Sequence, residues 1–416
     1  MAVSRAPADL LRAAMVDRLR DRQLIGSDAV EAALRAVPRH LFVPRSPLED
    51  AYGSDAIVTH RDAQGIAVSS ASAPSAVAGM LEQLDVRRGH RVLEIGAGTG
   101  YNAALLARLA GPAGQVTTLD IDEDVVGGAQ RGLAAAGFED VSVICGDGEF
   151  GYPGHAPYDR IIITAGAWDL PPAWHEQLAA RGRLVVPLRM KGMTRSVAFE
   201  RQDGYWRSRS IEELGFVPMR GAGSVAERNL RLGSHADITL RVDDGQPADA
   251  EALGNALGHP PALAWTGVTF PAEGLGHLDF WLAGLEAYGR LIVHSRAAID
   301  RGLVTPVYRW GSMAVFGRDT FAYLTERSGK HAGSGTDLPE LGVCAYGPGG
   351  ADLARRVADR IQAWDRIRRS IAQLWVEVHP AGTGDSHGAL MVIDKRHTRV
   401  IVRTTPLLPV AHDEGS

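Results

Sequence analysis

The 416-residue sequence is short of cysteine, lysine, net positive charge and long apolar runs. Its two cysteines, Cys145 and Cys344, lie far apart, which excludes a disulfide framework and a zinc cluster. Both stand in apolar runs and read as core residues rather than nucleophiles. Lys191, Lys330 and Lys395 are the only lysines among 44 basic residues, so arginine carries nearly all the positive charge. A coding bias would give that surplus; so would a demand for carboxylate recognition, which the planar guanidinium fork serves well. Against 49 acidic residues the net charge is −5, so no global basic field recruits nucleic acid. No uncharged apolar run approaches the ~20 residues of a membrane span. Residues 1–22 intersperse Arg and Asp among apolar positions, the pattern of an amphipathic helix and not of a signal peptide. These absences predict a cytoplasmic protein with neither a membrane nor a nucleic-acid partner.

What is present is globular: 45% of residues are apolar and 22% charged, over a length suited to two or three domains. Leu10, Leu11, Met15 and Leu19 recur at helical spacing, and Ser27 can cap a second helix through Ala36. Ser54 to Ser72 reads as a loop, and Pro74 opens a helix with Val77, Met80, Leu81 and Leu84 on one face. Strands at Arg91–Ile95, Gln115–Leu119, Val141–Cys145, Arg160–Thr164 and Arg183–Leu188 then alternate with helices at Tyr101–Ala110, Glu123–Ala136 and Pro172–Ala179. That alternation predicts an α/β fold with a parallel, doubly wound, Rossmann-like sheet. Asp203-Gly204 marks a hairpin that would close the sheet edge. After Gly223 the rhythm is lost. The chain therefore divides into an α/β domain over 1–223 and a C-terminal α+β domain over 224–416, whose clearest element is an arginine-rich helix at 350–369. Residues 328–338 read as a loop and 409–416 as a loose tail. No His, Cys or acid spacing in the second half matches a metal site.

The sharpest motif is Val92-Leu93-Glu94-Ile95-Gly96-Ala97-Gly98-Thr99-Gly100-Tyr101, a strand running into a glycine turn that opens a helix. Glycine lets the backbone turn tightly and approach a ligand without a Cβ clash. Asp120 ends the next strand, where an acid can accept hydrogen bonds from ribose hydroxyls, and Asp147-Gly148 ends the third. Glu94, Asp120 and Asp147 are thus expected to face one crevice. The spacing is GxGxG rather than the dinucleotide GxGxxG, and Glu94 would repel a pyrophosphate. An acid there suits a ligand with an ammonium and a sulfonium, as S-adenosyl-L-methionine has.

These residues and their surroundings resemble the protein-L-isoaspartate O-methyltransferase family. The likeness runs from Val37-Pro38-Arg39-His40-Leu41-Phe42-Val43-Pro44 through Ser72-Ala73-Pro74, the glycine turn, Gly146-Asp147-Gly148 and Ala156-Pro157-Tyr158-Asp159-Arg160-Ile161-Ile162 to Gly215-Phe216-Val217-Pro218-Met219, in family order over residues 10–221. The family's Gln-Thr-Ile-Ser run is here Ser69-Ser70-Ala71-Ser72, and the second half of the chain is additional. Both departures resemble a branch found beside peptide-modifying enzymes, the FxLD-type lanthipeptide methyltransferases.

The resemblance implies a peptide carboxyl O-methyltransferase (EC 2.1.1) with S-adenosyl-L-methionine as cofactor and S-adenosyl-L-homocysteine as product. It implies Ser72 as the residue that orients the acceptor carboxylate, although on local grounds Ser72 could equally cap the helix at Pro74. The cofactor residues would be Glu94, Gly96, Gly98, Gly100, Asp120, Ile121, Asp147, Gly148 and Thr164; Val58, Thr59, Ser70, Val217 and Pro218 would line the acceptor cleft. An Asp carboxylate, with a pKa of about 3.9, needs no general base, unlike an amine or alcohol acceptor. The branch points to an Asp of a cyclised ribosomal peptide, whose ester closes to a succinimide that can hydrolyse to isoaspartate. The alternatives are isoaspartate repair in damaged proteins and a graspetide-type aspartimide-forming enzyme. Deleting the C-terminal half would then abolish methylation of a dedicated peptide. Monomer and homodimer remain equally open.

Overall fold

Strands that are apolar on both faces must be covered on both faces. Ile161, Ile162 and Ile163 are successive residues of one strand, and each is fully buried. In the computed structural model the covering layers are helices on one side and, on the other, a second sheet with its own helices. The structure describes residues 5–405 apart from 64, 66, 234–236, 244, 247, 271–273, 309, 329–337 and 372. The predicted 328–338 loop, except its two end residues, and the 409–416 tail lie outside the described residues.

The first sheet has ten strands. From one edge, Ser142–Cys145, Gln115–Asp120, Arg91–Ile95, Tyr158–Ile163 and Leu178–Met190 run parallel. Met193–Arg201, Trp206–Glu212, Gln373–Pro380, Thr398–Thr405 and Met391–Asp394 continue it antiparallel. Strand order reverses about Arg91–Ile95, so a crevice opens beyond its C-terminal end. Helices Tyr101–Ala110 and Glu123–Ala136 stand as the sequence predicts, each ended by glycine at Gly111 and Gly137.

The predicted hairpin forms, but it does not close the sheet. Trp206 and Arg207 pair with Val378 and Glu377. Sheet membership therefore divides the chain differently from a boundary at 223, because residues 373–405 return to the first sheet. The remaining C-terminal residues form a seven-stranded antiparallel sheet in the order Glu227–Arg231, Ile238–Asp243, Tyr288–Val293, Gly311–Phe316, Phe321–Arg327, Glu340–Tyr346, Ala262–Thr269. Helix Gly350–Ile367 buries Leu353, Val357, Ile361 and Trp364 as its pattern predicts. One continuous core joins Leu188, Val197 and Phe199 of the first sheet to Phe280, Leu324, Val343 and Trp364.

Two local readings change. The expected loop at 54–72 contains an antiparallel pair, Ile57–Arg61 with Ala67–Ala71, whose register shifts after Val58. Its strands are five residues each and place their apolar residues side by side, so they show no clean alternation. Cys344 is buried as predicted, but Cys145 is exposed because it ends the edge strand of the sheet. Among the described residues no helix is long and apolar enough to cross a membrane. Ending the chain at Ser370 would strip three strands from the Trp206–Glu212 edge and leave it unpaired. Thermal unfolding of that truncation is expected more than about 10 °C below the full chain, or to be replaced by aggregation; an unchanged melting temperature would contradict the shared sheet.

Candidate active site

The glycine turn is held in shape from the neighbouring strand. Gly96 has φ +102°, and a Cβ there would lie 2.3 Å from Thr164 Oγ1. The Thr164 hydroxyl reaches the Gly96 carbonyl at 2.7 Å and that of Ile95 at 3.2 Å. The amides of Gly96 and Ala97 both donate to the Leu119 carbonyl, tying the turn to the next strand. Gly100 (φ +85°) opens helix Tyr101–Ala110, and a Cβ there would press to 3.0 Å from the Ala129 carbonyl oxygen.

Two acids stand at the strand ends. Glu94 is fully buried, yet its carboxylate is satisfied: Thr118 Oγ1 donates at 2.6 Å and Asn102 Nδ2 at 2.8 Å. Burial pushes its pKa up to about 7. Asp120 accepts from the amides of Gly98 at 3.2 Å and Asp122 at 3.3 Å, and burial raises its pKa too. Arg220 stands 3.8 Å from Asp120 and 3.4 Å from Asp122, while His60 of the hairpin lies 3.9 Å from Asp122.

Beside these acids lies a cavity of about 620 Å³. Its wall includes Ser72, Glu94, Gly96, Gly98, Asp120, Ile121, Gly148, Thr164, Val58, Ser70, Val217 and Pro218, so most of the predicted site residues converge. Three do not reach the wall. Gly100 sits one step back, shaping the turn against Ala129. The Asp147 carboxylate is taken by the amides of Glu149 at 3.0 Å and Ala222 at 2.7 Å, which corrects the expectation that it faces the crevice; Gly146 and Gly148 line the wall instead. The Thr59 hydroxyl points to Ser69, 3.4 Å away, while Val58 and Ser70 reach the cavity.

The helix after Ser72 settles its local ambiguity. Ala73 is the N-cap of Pro74–Leu84, with no side-chain cap bond, so Ser72 does not cap it. Its hydroxyl makes no hydrogen bond to a described residue, whereas its carbonyl accepts from Arg39 Nη2 at 2.8 Å. Arg39 is 1% exposed and also donates to the Ala51 carbonyl at 2.8 Å; its guanidinium lies 4.9 Å from the centre of the Tyr101 ring. Sequence reasoning quoted Arg39 within Val37–Pro44 without giving it a role. A basic residue inside an apolar stretch was the available clue. Glu227, Asn229, Arg241, Ile292 and His294, from the second sheet and its edge, also line the cavity and carry no local motif that marks them.

The Glu94 environment has a pH signature. Its folded pKa of about 7 lies above the usual carboxyl value, so folding favours the protonated form. That stabilisation is full at low pH and is lost as pH rises through about 7. In ligand-free protein, Glu94→Gln removes the titration, so its melting temperature relative to wild type should rise between pH 5 and pH 8, roughly the range over which the carboxylate ionises. An offset that stays constant across that range would contradict it.

The chain was compared with known proteins. The model of the protein-L-isoaspartate(D-aspartate) O-methyltransferase family matches residues 11–224. The protein-L-isoaspartate O-methyltransferase of Methanopyrus kandleri is 40% identical over 212 residues, 50% of this chain and 91% of that protein. Its counterpart in Methanoregula boonei is 43% identical over 208 residues, 49% of this chain and 92% of that one. A solved protein-L-isoaspartate O-methyltransferase structure aligns with a TM-score of 0.50 at 21% identity, covering 94% of this chain and 98% of its own. That is a likeness of fold, and its span takes in both sheets. The glycine cradle, the buried acid and the strand-end acid fit the cofactor that the motif implied. The chain belongs to the protein-L-isoaspartate(D-aspartate) O-methyltransferase family and is a protein carboxyl O-methyltransferase that uses S-adenosyl-L-methionine.

Proposed function

We propose that this chain methylates an aspartyl-type carboxylate held in an extended peptide, with the free α-carboxylate of an L-isoaspartyl residue as the acceptor. The relatives' names support that acceptor. The observation that carries the reading is the uncommitted Ser72 hydroxyl on the cavity wall, on a backbone pinned by buried Arg39.

Bound S-adenosyl-L-methionine supplies a methyl carbon activated by its sulfonium. Glu94 would face its ammonium, the backbone of Gly96 and Gly98 would admit its chain, Asp120 would accept from its ribose hydroxyls, and Ile121 and Gly148 would flank its base. At the acceptor end the wall offers Ser70, Ser72 and backbone groups, with Val58 and the Val217-Pro218 segment as apolar cover. A carboxylate is already ionised at neutral pH, so the protein must orient it and exclude water rather than deprotonate it. Ser72 would donate to one carboxylate oxygen and leave the other free to react. Burial pushes the Arg39 guanidinium down from its ordinary value; a guanidinium is not deprotonated in proteins, so it adds positive potential behind Ser72.

One observation favours a second, narrower reading: residues of the second sheet, beyond the 11–224 span that the family model matches, wall the same cavity. That construction supports a dedicated client, the Asp side chain of a cyclised ribosomal peptide, whose methyl ester closes to an imide when the next backbone nitrogen attacks and methanol leaves. Mass spectrometry separates the two. A synthetic isoaspartyl peptide gaining one methylene supports the first reading; a cyclised precursor peptide losing one water, with isoaspartyl peptides untouched, would replace it by the second. On the accepted peptide, Ser72→Ala should cut kcat/KM by about 10- to 100-fold while S-adenosyl-L-homocysteine affinity holds within about twofold. Full activity in that variant would remove Ser72 from the mechanism.

A further inference from the structure

The part of the cavity wall supplied by the second sheet is a polar patch fixed by strand register. Asn229 lies directly across from Arg241, and Glu227 from Asp243, on the two strands at one edge of the second sheet. Residues two apart on a strand share a face. The opposite face of Ile238–Asp243 buries Ile238, Leu240 and Val242 in the second sheet's own core, so Thr239, Arg241 and Asp243 turn toward the first sheet. His294, just past the neighbouring strand Tyr288–Val293, is held by its ring to the Thr239 hydroxyl at 3.0 Å.

The charges on this patch are unequally engaged. Glu227 is 3.3 Å from Arg189, a side chain 3% exposed, and 3.7 Å from Arg241. Asp243 is 2% exposed and lies 3.7 Å from Arg189. Both acids are thus drawn toward the buried Arg189, while Arg241, with 31% of its side chain exposed, keeps guanidinium donors on the cavity wall beside exposed Asn229. A guanidinium fork next to an amide matches a carboxylate bidentately.

We propose that Arg241, with Asn229, forms a subsite for an acidic side chain of the peptide, flanking the carboxylate that is methylated. The inference rests on the peptide reading of the cavity and adds a specificity to it. The second sheet then selects substrates by charge, and Ser72, on the wall of the same cavity, handles the reacting group. Specificity of this kind is a difference in affinity, and a charge reversal should invert it.

The test uses the full-length protein and three synthetic isoaspartyl peptides that differ only in carrying Glu, Gln or Lys two positions from the isoaspartyl residue. The readout is the ratio of kcat/KM for the Glu peptide to that for the Lys peptide, which does not depend on how much of a variant is folded. Wild type should favour Glu by at least about tenfold, the effect of one well-placed charge pair. Arg241→Gln should bring the ratio below about twofold, and Arg241→Glu should invert it. Asn229→Asp, at an exposed position, should lower the ratio independently by placing a like charge beside the subsite. A ratio unchanged in all three variants overturns the subsite while leaving the methylation reading intact. Wild-type turnover of none of the peptides, with the cyclised Asp precursor also inert, overturns both.

Discussion

Two arginines buried between the sheets, Arg189 and Arg195, decide where the second sheet sits. Arg189 is 3% exposed and pairs with Glu227 and Asp243 of the second sheet, and donates to the Val225 carbonyl at 2.8 Å. Lys395, from the returning C-terminal hairpin, donates to the carbonyls of Trp168 and Arg189 and lies 4.5 Å from the centre of the Trp168 ring. Arg195 bonds to the fully buried Asp279, which Tyr288 and Arg290 also contact. Desolvating a charge costs several kcal/mol unless partners replace the water. A second sheet displaced from this position would strand both arginines. Burial pushes Lys395 down to about 8, a measure of how dry the joint is.

From that joint follows the shape of the cavity. The first sheet provides the glycine turn and two acids at its strand ends, placed by the reversal of strand order at Arg91–Ile95. The 57–71 hairpin and the segment through Val217 and Pro218 add the wall where the acceptor is proposed to lie. The C-terminal hairpin reinforces this from behind: Asp169 accepts from the His397 amide at 2.7 Å and the Thr398 hydroxyl at 2.5 Å, fixing the segment that follows the Thr164 strand end. The Arg189 joint then sets Glu227, Asn229 and Arg241 into the wall of the same cavity as Ser72. The additional half of the chain is part of the site's architecture as well as of the core.

Legibility from sequence followed the range of the interactions. Arg91–Ile95, Tyr101–Ala110 and Glu123–Ala136 could be read to the residue because an apolar run, a glycine stop and a helical period are all local. The same local motif misled at Asp147, whose carboxylate is captured by an amide 75 positions away. A Ser just before a helix reads locally as a cap, and only the backbone geometry puts the cap at Ala73 instead of Ser72. The pairing of Trp206 with Val378 has no local trace, since each strand alone reads only as a strand. Strands Gly311–Phe316 and Phe321–Arg327 escaped because the first is buried on both faces and shows no alternation. Arg39 and Arg241 were hidden in a chain where 41 of 44 basic residues are arginine, so residue type alone could not single them out.

The most direct measurement is the chemistry of the transferred methyl group. Incubate the full chain with methyl-labelled S-adenosyl-L-methionine and an acceptor peptide, then treat the peptide with mild base and collect the vapour. A carboxyl methyl ester releases its label as volatile methanol, which is the result expected from a cavity that orients an ionised carboxylate beside Ser72. Label that stays on the peptide through base treatment would mean an amine or hydroxyl acceptor and would contradict the account.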